Sequence, residues 1–467
     1  MVGLLRHPAA IGALLVLATF VVYAPAVDSQ LVADDFLLVS ISFREAATYW
    51  HETFGLGRSE YRPLTALSYA IDNALWNDDP RGYHFTNIAL HAIVVVLLFL
   101  WARSLSGCTT VGIVAALFFL VHPINHSRAN WIAARDGVLS GVFCLLCLWA
   151  YLRHREASQP VRKHSSFSLT MLAGSLLSYE GAVALPLLLG ATDLFSTSGP
   201  VWTRERVADV FHGLRPYLLV LAVYLIFWNV LFGGSLGAYD LAADPLSVAS
   251  NFGRLLYSLA HGHNRWPGLL YLLLLILAFR TFREQRNLVW LSGLIVVLSY
   301  LPFCLLQGFA QRFGYSSALG YSLLLALLLF GAAQGSARWR PLVAGGLGLG
   351  LLAYQAVEAR ARIFEWREAG DIAASIPRQL KRMHPTFPKG ASVVFGGIPR
   401  MHRRAQVFPL GVQGAIEREY AEIRLRVESD ERPLREWAPP PSSEKDYYFE
   451  YRAPHLVEIQ QSALRGN

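Results

Sequence analysis

The sequence predicts a mostly α, polytopic helical membrane protein of about eleven spans, carrying a small C-terminal α/β domain outside the bilayer. Three observations point there. Hydrophobic residues make up 54% of the 467 residues and charged residues only 16%, with mean hydropathy +0.36, whereas ordinary globular domains carry about 25% charge. The apolar residues fall in charge-free runs separated by basic loops, and the chain turns polar from about residue 358 onward.

The first run, 8–27, is long enough to cross a hydrocarbon core of about 30 Å as helix. The further runs are 85–102, 108–121, 137–152, 167–178, 181–192, 216–232, 267–279, 288–306, 314–333 and 341–356. Several are short, and such spans are tenable only where tilt, extended flanks or protein-lined breaks satisfy the backbone. Ala24-Pro-Ala26 resembles a signal-peptide cleavage site. The run before it exceeds the about 7 to 15 apolar residues of such peptides, so a retained span is expected.

Four basic clusters test the alternation: Arg153 to Lys163, Arg204 with Arg206, Arg280 to Arg286, and Arg338 with Arg340. All fall in loops that alternation makes cytoplasmic, which sets the amino terminus inside and the tail outside. The net charge of +8 is thus spread over loops. A nucleic-acid partner, which would need one concentrated basic patch, is excluded. Cys108, Cys144, Cys147 and Cys304 lie in apolar runs and read as small buried hydrophobes.

The chain divides into a membrane domain, 1–356, and an extracytoplasmic domain, 357–467. The tail opens on an alternating charged helical run from Glu358 to Glu368. A strand is expected at 391–395, bounded by glycines, then a helix at 417–426 and a late strand at 446–451. No repeat of fixed period is visible there. With no catalytic constellation of its own, the tail is expected to dock or select an acceptor.

Asp34 and Asp35 stand just beyond the first span, at the membrane surface. Adjacent carboxylates repel, so one holds its proton to higher pH, an arrangement suited to acid–base work. The plainer alternative is a solvated loop.

Specific motifs lie in the other loops. They are Tyr61-Arg-Pro-Leu64, Gly82-Tyr-His84 with Asn87 and His91, His122-Pro-Ile124, Trp131-Ile-Ala-Ala-Arg-Asp136, Ser178-Tyr-Glu-Gly-Ala182 and Gln311-Arg-Phe-Gly-Tyr315. In order and spacing, this set resembles the transmembrane protein O-mannosyltransferases with tetratricopeptide repeats and their bacterial relatives, which belong to the polytopic, GT-C-type glycosyltransferases using lipid-linked sugars. The likeness covers most of residues 30 to 320. The family usually has a glutamate shortly after its His-Pro pair, where Ser127 and Arg128 stand here, and a lysine where Tyr179 stands. The repeats have no counterpart in this sequence.

The resemblance implies a multi-pass enzyme of the bacterial inner membrane. Its partners would be a polyprenyl-phosphate-linked sugar, an acceptor protein, lipid or glycan, and membrane lipids. Asp34 matches the general base, with Asp35 orienting it. Arg62, His91, His122, Arg135 and Arg312 are the extracytoplasmic cations in matching segments, and Arg offers a fork suited to phosphate. Glu180 interrupts an apolar run, and an acid at membrane depth is a functional candidate. Plainer roles also exist: His91 one turn from Asn87 as a buried hydrogen bond, His122-Pro123 as a helix end, Arg312 as a snorkelling side chain. No cofactor is expected. Asp34, Asp35, Asp240 and Asp244 have the right oxygens for a metal, but nothing brings them together, and the resembled class generally works without one. The alternative is a transporter or flippase of a lipid-linked or small polar solute, which would place its acids at the membrane midplane between repeats.

Overall fold

The structure, a computed structural model, describes residues 7–51, 61–156, 162–196, 201–232, 244–260, 286–334, 336–409, 411–420, 425–438, 443 and 445–464. Its first half is helical: α1 (Pro8–Tyr23), α2 (Asp35–Leu38), α3 (Phe43–His51), α4 (Pro63–Trp76), α5 (Pro80–Ser106), α6 (Thr109–Val121), α7 (His126–Asn130) and α8 (Arg135–Glu156). There follow α9 (Arg162–Leu176), α10 (Leu185–Phe195), α11 (Arg204–Phe232), α12 (Pro245–Leu259), α13 (Arg286–Cys304), α14 (Tyr315–Ala333) and α15 (Trp339–Met383).

Local chemistry explains the ends. α5 starts on Asp79, whose side chain accepts from the Arg81 amide at 3.1 Å, with Pro80 in the first turn, and stops on Gly107 in the left-handed region. α6 ends where Pro123 supplies no N–H and the His122 ring accepts from the Ile124 amide. The chain then bends by 51° into the segment Pro123–Asn130.

Among the described residues, seven helices are long and apolar enough to cross a membrane, or eight if α6 and the bent segment after it count as one broken span. Among the described residues this is fewer than the expected eleven. Runs 167–178 and 181–192 become α9 and α10, too short to count, because the chain breaks at Ser178 into a 3-10 turn, Glu180–Ala184. The expected crossing at 267–279 and Asp240 lie outside the described residues.

Apolar side chains such as Leu17, Leu219, Ile226, Leu342 and Leu347 point outward, as a lipid-facing surface requires. Inside, α13 and α14 approach closely at Gly320, where a Cβ would lie 2.6 Å from the Ser292 carbonyl oxygen. At one end of the bundle Arg155 and Arg206 both pair with Asp193. The loops carrying the acid pair and the Trp131 to Asp136 segment gather at the other end.

α15 has 45 residues, about 65 Å of helix, and runs uninterrupted through the expected domain boundary at 356. Its apolar first half faces outward and its second half leads into a four-stranded sheet ordered β4-β1-β5-β6. The strands are β1 (Ser392–Gly396), β4 (Arg426–Ser429), β5 (Asp446–Arg452) and β6 (His455–Ile459). A two-stranded ribbon lies beside the sheet, β2 (Met401–His402) with β3 (Ala405–Gln406). β1 pairs in parallel with both β4 and β5, and β6 runs antiparallel to β5. The strands expected at 391–395 and 446–451 are present; the expected helix at 417–426 is instead α16 (Gln413–Glu419), with Arg426 opening β4.

The sheet core, including Val393, Phe395, Ile416 and Phe449, packs on Trp366, Ala369, Ala373 and Ile376 of α15. That same cluster takes in Val32, Trp131 and Ala134 from the membrane-domain loops. The C-terminal domain and the acid loop thus share one hydrophobic core.

Candidate active site

After α1 the chain makes a 3-10 turn, Ala24–Ala26, and reaches Asp34 through a short irregular segment. It is clamped from two sides. The Ala33 amide donates to the Val407 carbonyl of the C-terminal domain at 2.8 Å, and Phe36 stacks on Phe408 at 5.9 Å. From the membrane side, the Ala133 amide donates to Asp35 Oδ1 at 2.8 Å and the Val32 amide to Asp35 Oδ2 at 3.1 Å. Gly370 of α15 lets the Gln30 backbone lie against the helix; a Cβ there would meet the Gln30 carbonyl oxygen at 2.8 Å.

The two acids are therefore unlike. Asp35 is fully buried, both its oxygens are engaged by backbone amides, and burial pushes its carboxyl up to about 8 against those two donors. Asp34 is half-buried, and its Oδ1 has no hydrogen-bond partner among the described residues. Burial raises the Asp34 carboxyl, while first Arg312 and then Arg62 pull it back.

Linkage makes Asp35 testable. Between about pH 4 and 8 the folded chain keeps a proton on Asp35 that an unfolded chain has lost, so this group makes the protein less stable as pH rises through that window. Asp35→Asn is expected to flatten that slope, seen as thermal melting in detergent across the pH range. It is also expected to cost about 1–3 kcal/mol, because one backbone donor then faces an amide NH₂.

Arg62, just ahead of Pro63, forks onto Glu180 with Nε–Oε2 at 2.8 Å and Nη2–Oε1 at 2.5 Å, and its Nη1 lies 2.9 Å from Asp136 Oδ2. The Asp136 carboxylate in turn pairs with Arg128. Both arginines lie over the Tyr179 ring, Arg62 at 5.1 Å and Arg128 at 4.7 Å. The two positions where the sequence departs from the resembled family, Arg128 and Tyr179, are thus in contact. Arg312 rests its guanidinium over Trp131 at 5.3 Å, and its carbonyl accepts from Arg128 Nε at 3.1 Å. No carboxylate lies within ion-pair distance of Arg312 among the described residues, and Arg312 is the charge that most lowers the Asp34 carboxyl.

Asp34, Arg62, Glu180 and Arg312 thus come together, with Asp35 behind them. Three other expected residues lie elsewhere. Arg135 is fully buried, bound to Asp72 at 2.5 Å and Asn87 at 2.5 Å, and lies over Tyr69; it braces α4 against α5. His91 sits within the helix bundle, its Nδ1 2.8 Å from the Tyr315 hydroxyl. His122 bridges its own turn to the Leu259 carbonyl at 3.1 Å. All three were expected among the cations facing the phosphate; in the structure each is buried and engaged by protein partners.

Asp136, Arg128, Trp131 and Tyr179 were not singled out as site residues, although all but Arg128 lie in quoted motifs. Support from the C-terminal side was not legible. Trp366 stacks on Trp131 at 5.7 Å and donates to His126 Nδ1 at 2.8 Å, while Arg362 donates to Gln311 at 2.9 Å. Among the described residues no group of three His, Cys, Asp or Glu side chains is placed to hold a metal.

This architecture recurs in solved structures. The chain matches ArnT from Cupriavidus metallidurans bound to undecaprenyl phosphate with TM-score 0.50 at 14% identity, over 89% of this chain and 85% of that one. It matches the archaeal oligosaccharyltransferase AglB from Archaeoglobus fulgidus, in complex with an inhibitory peptide and a dolichol-phosphate, with TM-score 0.50 at 9% identity, over 90% of this chain and 69% of that one. The chain shares its overall fold with these two proteins.

In sequence the chain is homologous to the TMTC protein O-mannosyl-transferases. It is 38% identical over 171 residues to Protein O-mannosyl-transferase tmtc2 of Xenopus laevis, 35% of this chain and 18% of that protein. It is 32% identical over 141 residues to Tmtc1 of Drosophila melanogaster, 30% of this chain and 16% of that protein. The matched chain spans less than a fifth of the length of these relatives. No known family profile matches it.

Proposed function

We propose that the chain is an integral-membrane glycosyltransferase that moves a sugar from a polyprenyl-phosphate donor to an acceptor hydroxyl, with inversion, on the extracytoplasmic face. Mannose is the first sugar to test, because the relatives are named O-mannosyl-transferases. In this reading the amino terminus is cytoplasmic and the membrane is a bacterial inner membrane. The observation that carries the reading is the contrast within the acid pair: Asp35 is spent on backbone amides, while Asp34 keeps an unpartnered carboxylate oxygen beside Arg312 and Arg62.

The chemistry needs two groups. As the acceptor oxygen bonds to the anomeric carbon, a carboxylate takes the hydroxyl proton; Asp34 is assigned that role. The bond from the anomeric carbon to the phosphate oxygen breaks, its electron pair leaves with the phosphate, and a cation stabilises the developing charge. Arg312 is assigned to it, since its guanidinium is held by ring faces rather than by a carboxylate. Arg62, already forked onto Glu180, holds the floor of the site. The acids lie in the loop after α1 rather than at the midplane of a span, which favours transfer over transport.

The test is reconstitution with polyprenyl-phosphate mannose and a hydroxyl acceptor, following release of polyprenyl phosphate. Arg312→Ala is expected to lower donor use about 10²-fold, and Arg312→Lys less than that, since the charge remains but the bidentate fork is lost. Equal donor use by parent and Arg312→Ala removes Arg312 from the site.

A further inference from the structure

Among the described residues Arg312 has no carboxylate to orient it; its guanidinium lies over Trp131 at 5.3 Å and over Phe313 at 5.1 Å. Ring faces hold a cation without neutralising it, so its full charge stays available to an anion. A long side chain held this way stands only as firmly as the rings and the backbone turn beneath it. Both lead to α15.

Trp366 and Arg362 stand one turn apart on one face of α15, and both are buried. Trp366 stacks on Trp131 at 5.7 Å with the ring planes 26° apart, so the ring that carries Arg312 rests on the helix. The Trp366 indole N–H can only donate, and does so to His126 Nδ1 at 2.8 Å; the His126 proton is therefore on Nε2, which donates to Gln311 Oε1 at 3.2 Å. Arg362 Nη1 donates to that same oxygen at 2.9 Å, and to the Pro123 carbonyl at 3.2 Å in the turn ahead of α7. Both lone pairs of Gln311 Oε1 are used, and turning the amide over would set its NH₂ against two N–H donors. The chain thus runs in one direction, from Trp366 through His126 to Gln311, the residue before Arg312.

We infer that Trp366 is a positioning residue for Arg312. It sets the guanidinium by two routes, through the Trp131 ring and through His126 into the turn Gln311–Gly314. The inference deepens the proposed transfer reaction and rests on it for the role of Arg312. The rest of that turn is pinned by Arg128 Nε, which donates to the Arg312 carbonyl at 3.1 Å, and by Phe313, stacked on Phe303 at 4.7 Å. Gln311 is then the end of the turn that Trp366 controls. A misplacement of about 1 Å in a charge-stabilising group costs up to about 10²-fold in rate, and loosening one link of this chain is expected to cost about tenfold.

The test uses the full chain in liposomes with polyprenyl-phosphate mannose and a hydroxyl acceptor, at equal amounts of folded protein. Trp366→Phe keeps a ring on Trp131 but removes the N–H; it is expected to raise KM for the donor and lower its kcat/KM about tenfold, with KM for the acceptor unchanged. His126→Phe breaks the next link and is expected to do the same, and the double variant no more than either. In an Arg312→Ala chain, Trp366→Phe is expected to cost less than about twofold further, because the group it positions is gone. Parental donor efficiency in Trp366→Phe overturns the inference, as does a loss that persists at full size in the Arg312→Ala chain or a rise in both KM values alike. An Arg312→Ala chain as efficient as the parent removes Arg312 from the site, and the positioning role with it. If the parent chain consumes no donor, the transferase reading fails; polyprenyl phosphate bound about tenfold more weakly by Trp366→Phe then upholds the positioning of Arg312, and unchanged binding overturns it.

Discussion

Asp34→Asn is expected to lower sugar transfer by about 10² or more while leaving the protein folded and the donor bound. The amide keeps the size of the carboxyl but cannot accept the acceptor's proton. The structure gives a reason to expect little collateral damage: among the described residues Asp34 Oδ1 has no hydrogen-bond partner, whereas Asp35 accepts two backbone amides. The neighbouring acids therefore separate cleanly. Asp34→Asn should melt like the parent and fail in transfer, and Asp35→Asn should lose stability as well as activity. Transfer at the parental rate by Asp34→Asn, in membranes holding equal amounts of folded protein, would show that the base is elsewhere.

The second large effect is expected on ending the chain after Met383, which removes the sheet and α16. Read as sequence, the tail looks like a separable docking module whose loss would spare the donor. The contacts of the tail with the acid loop argue for a larger effect. Removal takes away the Val407 carbonyl that receives the Ala33 amide, the Phe408 ring under Phe36 and the sheet side of the shared core, leaving only the α15 side against Val32, Trp131 and Ala134. Donor turnover is therefore expected to fall along with transfer, to near background. Gly370→Val offers a milder version, since its side chain pushes on the Gln30 backbone without removing any domain. Should the shortened chain remain folded and consume donor at the parental rate, the tail serves the acceptor alone.

The membrane class, the C-terminal sheet and the loops that carry the site were legible because each is encoded locally. A charge-free run reports its own burial in lipid, and a short apolar β-branched and aromatic run between glycines reports a strand, as at Ser392–Gly396. The span count was not legible to the same degree. Whether an apolar run such as 181–192 becomes a full crossing depends on how its neighbours satisfy a broken backbone at Tyr179 and Glu180, and periodicity carries no record of that.

The sequence by itself set Asp34 and Asp35 just beyond an apolar run long enough to span a membrane, and its motifs marked Arg62, Glu180 and Arg312 as candidates beside them. Only the tertiary structure showed which acid is engaged by backbone amides and which cations lie near the other. The deciding contacts join Asp35 to Ala133, Arg62 to Glu180 and Ala33 to Val407. Each links residues about 100 or more positions apart, and a carboxylate that accepts two amides looks the same in one dimension as one that accepts none. Hydrophobic segregation is a property of each segment. The pairing of buried polar groups belongs to the packed whole, because each must find a partner wherever the fold brings one.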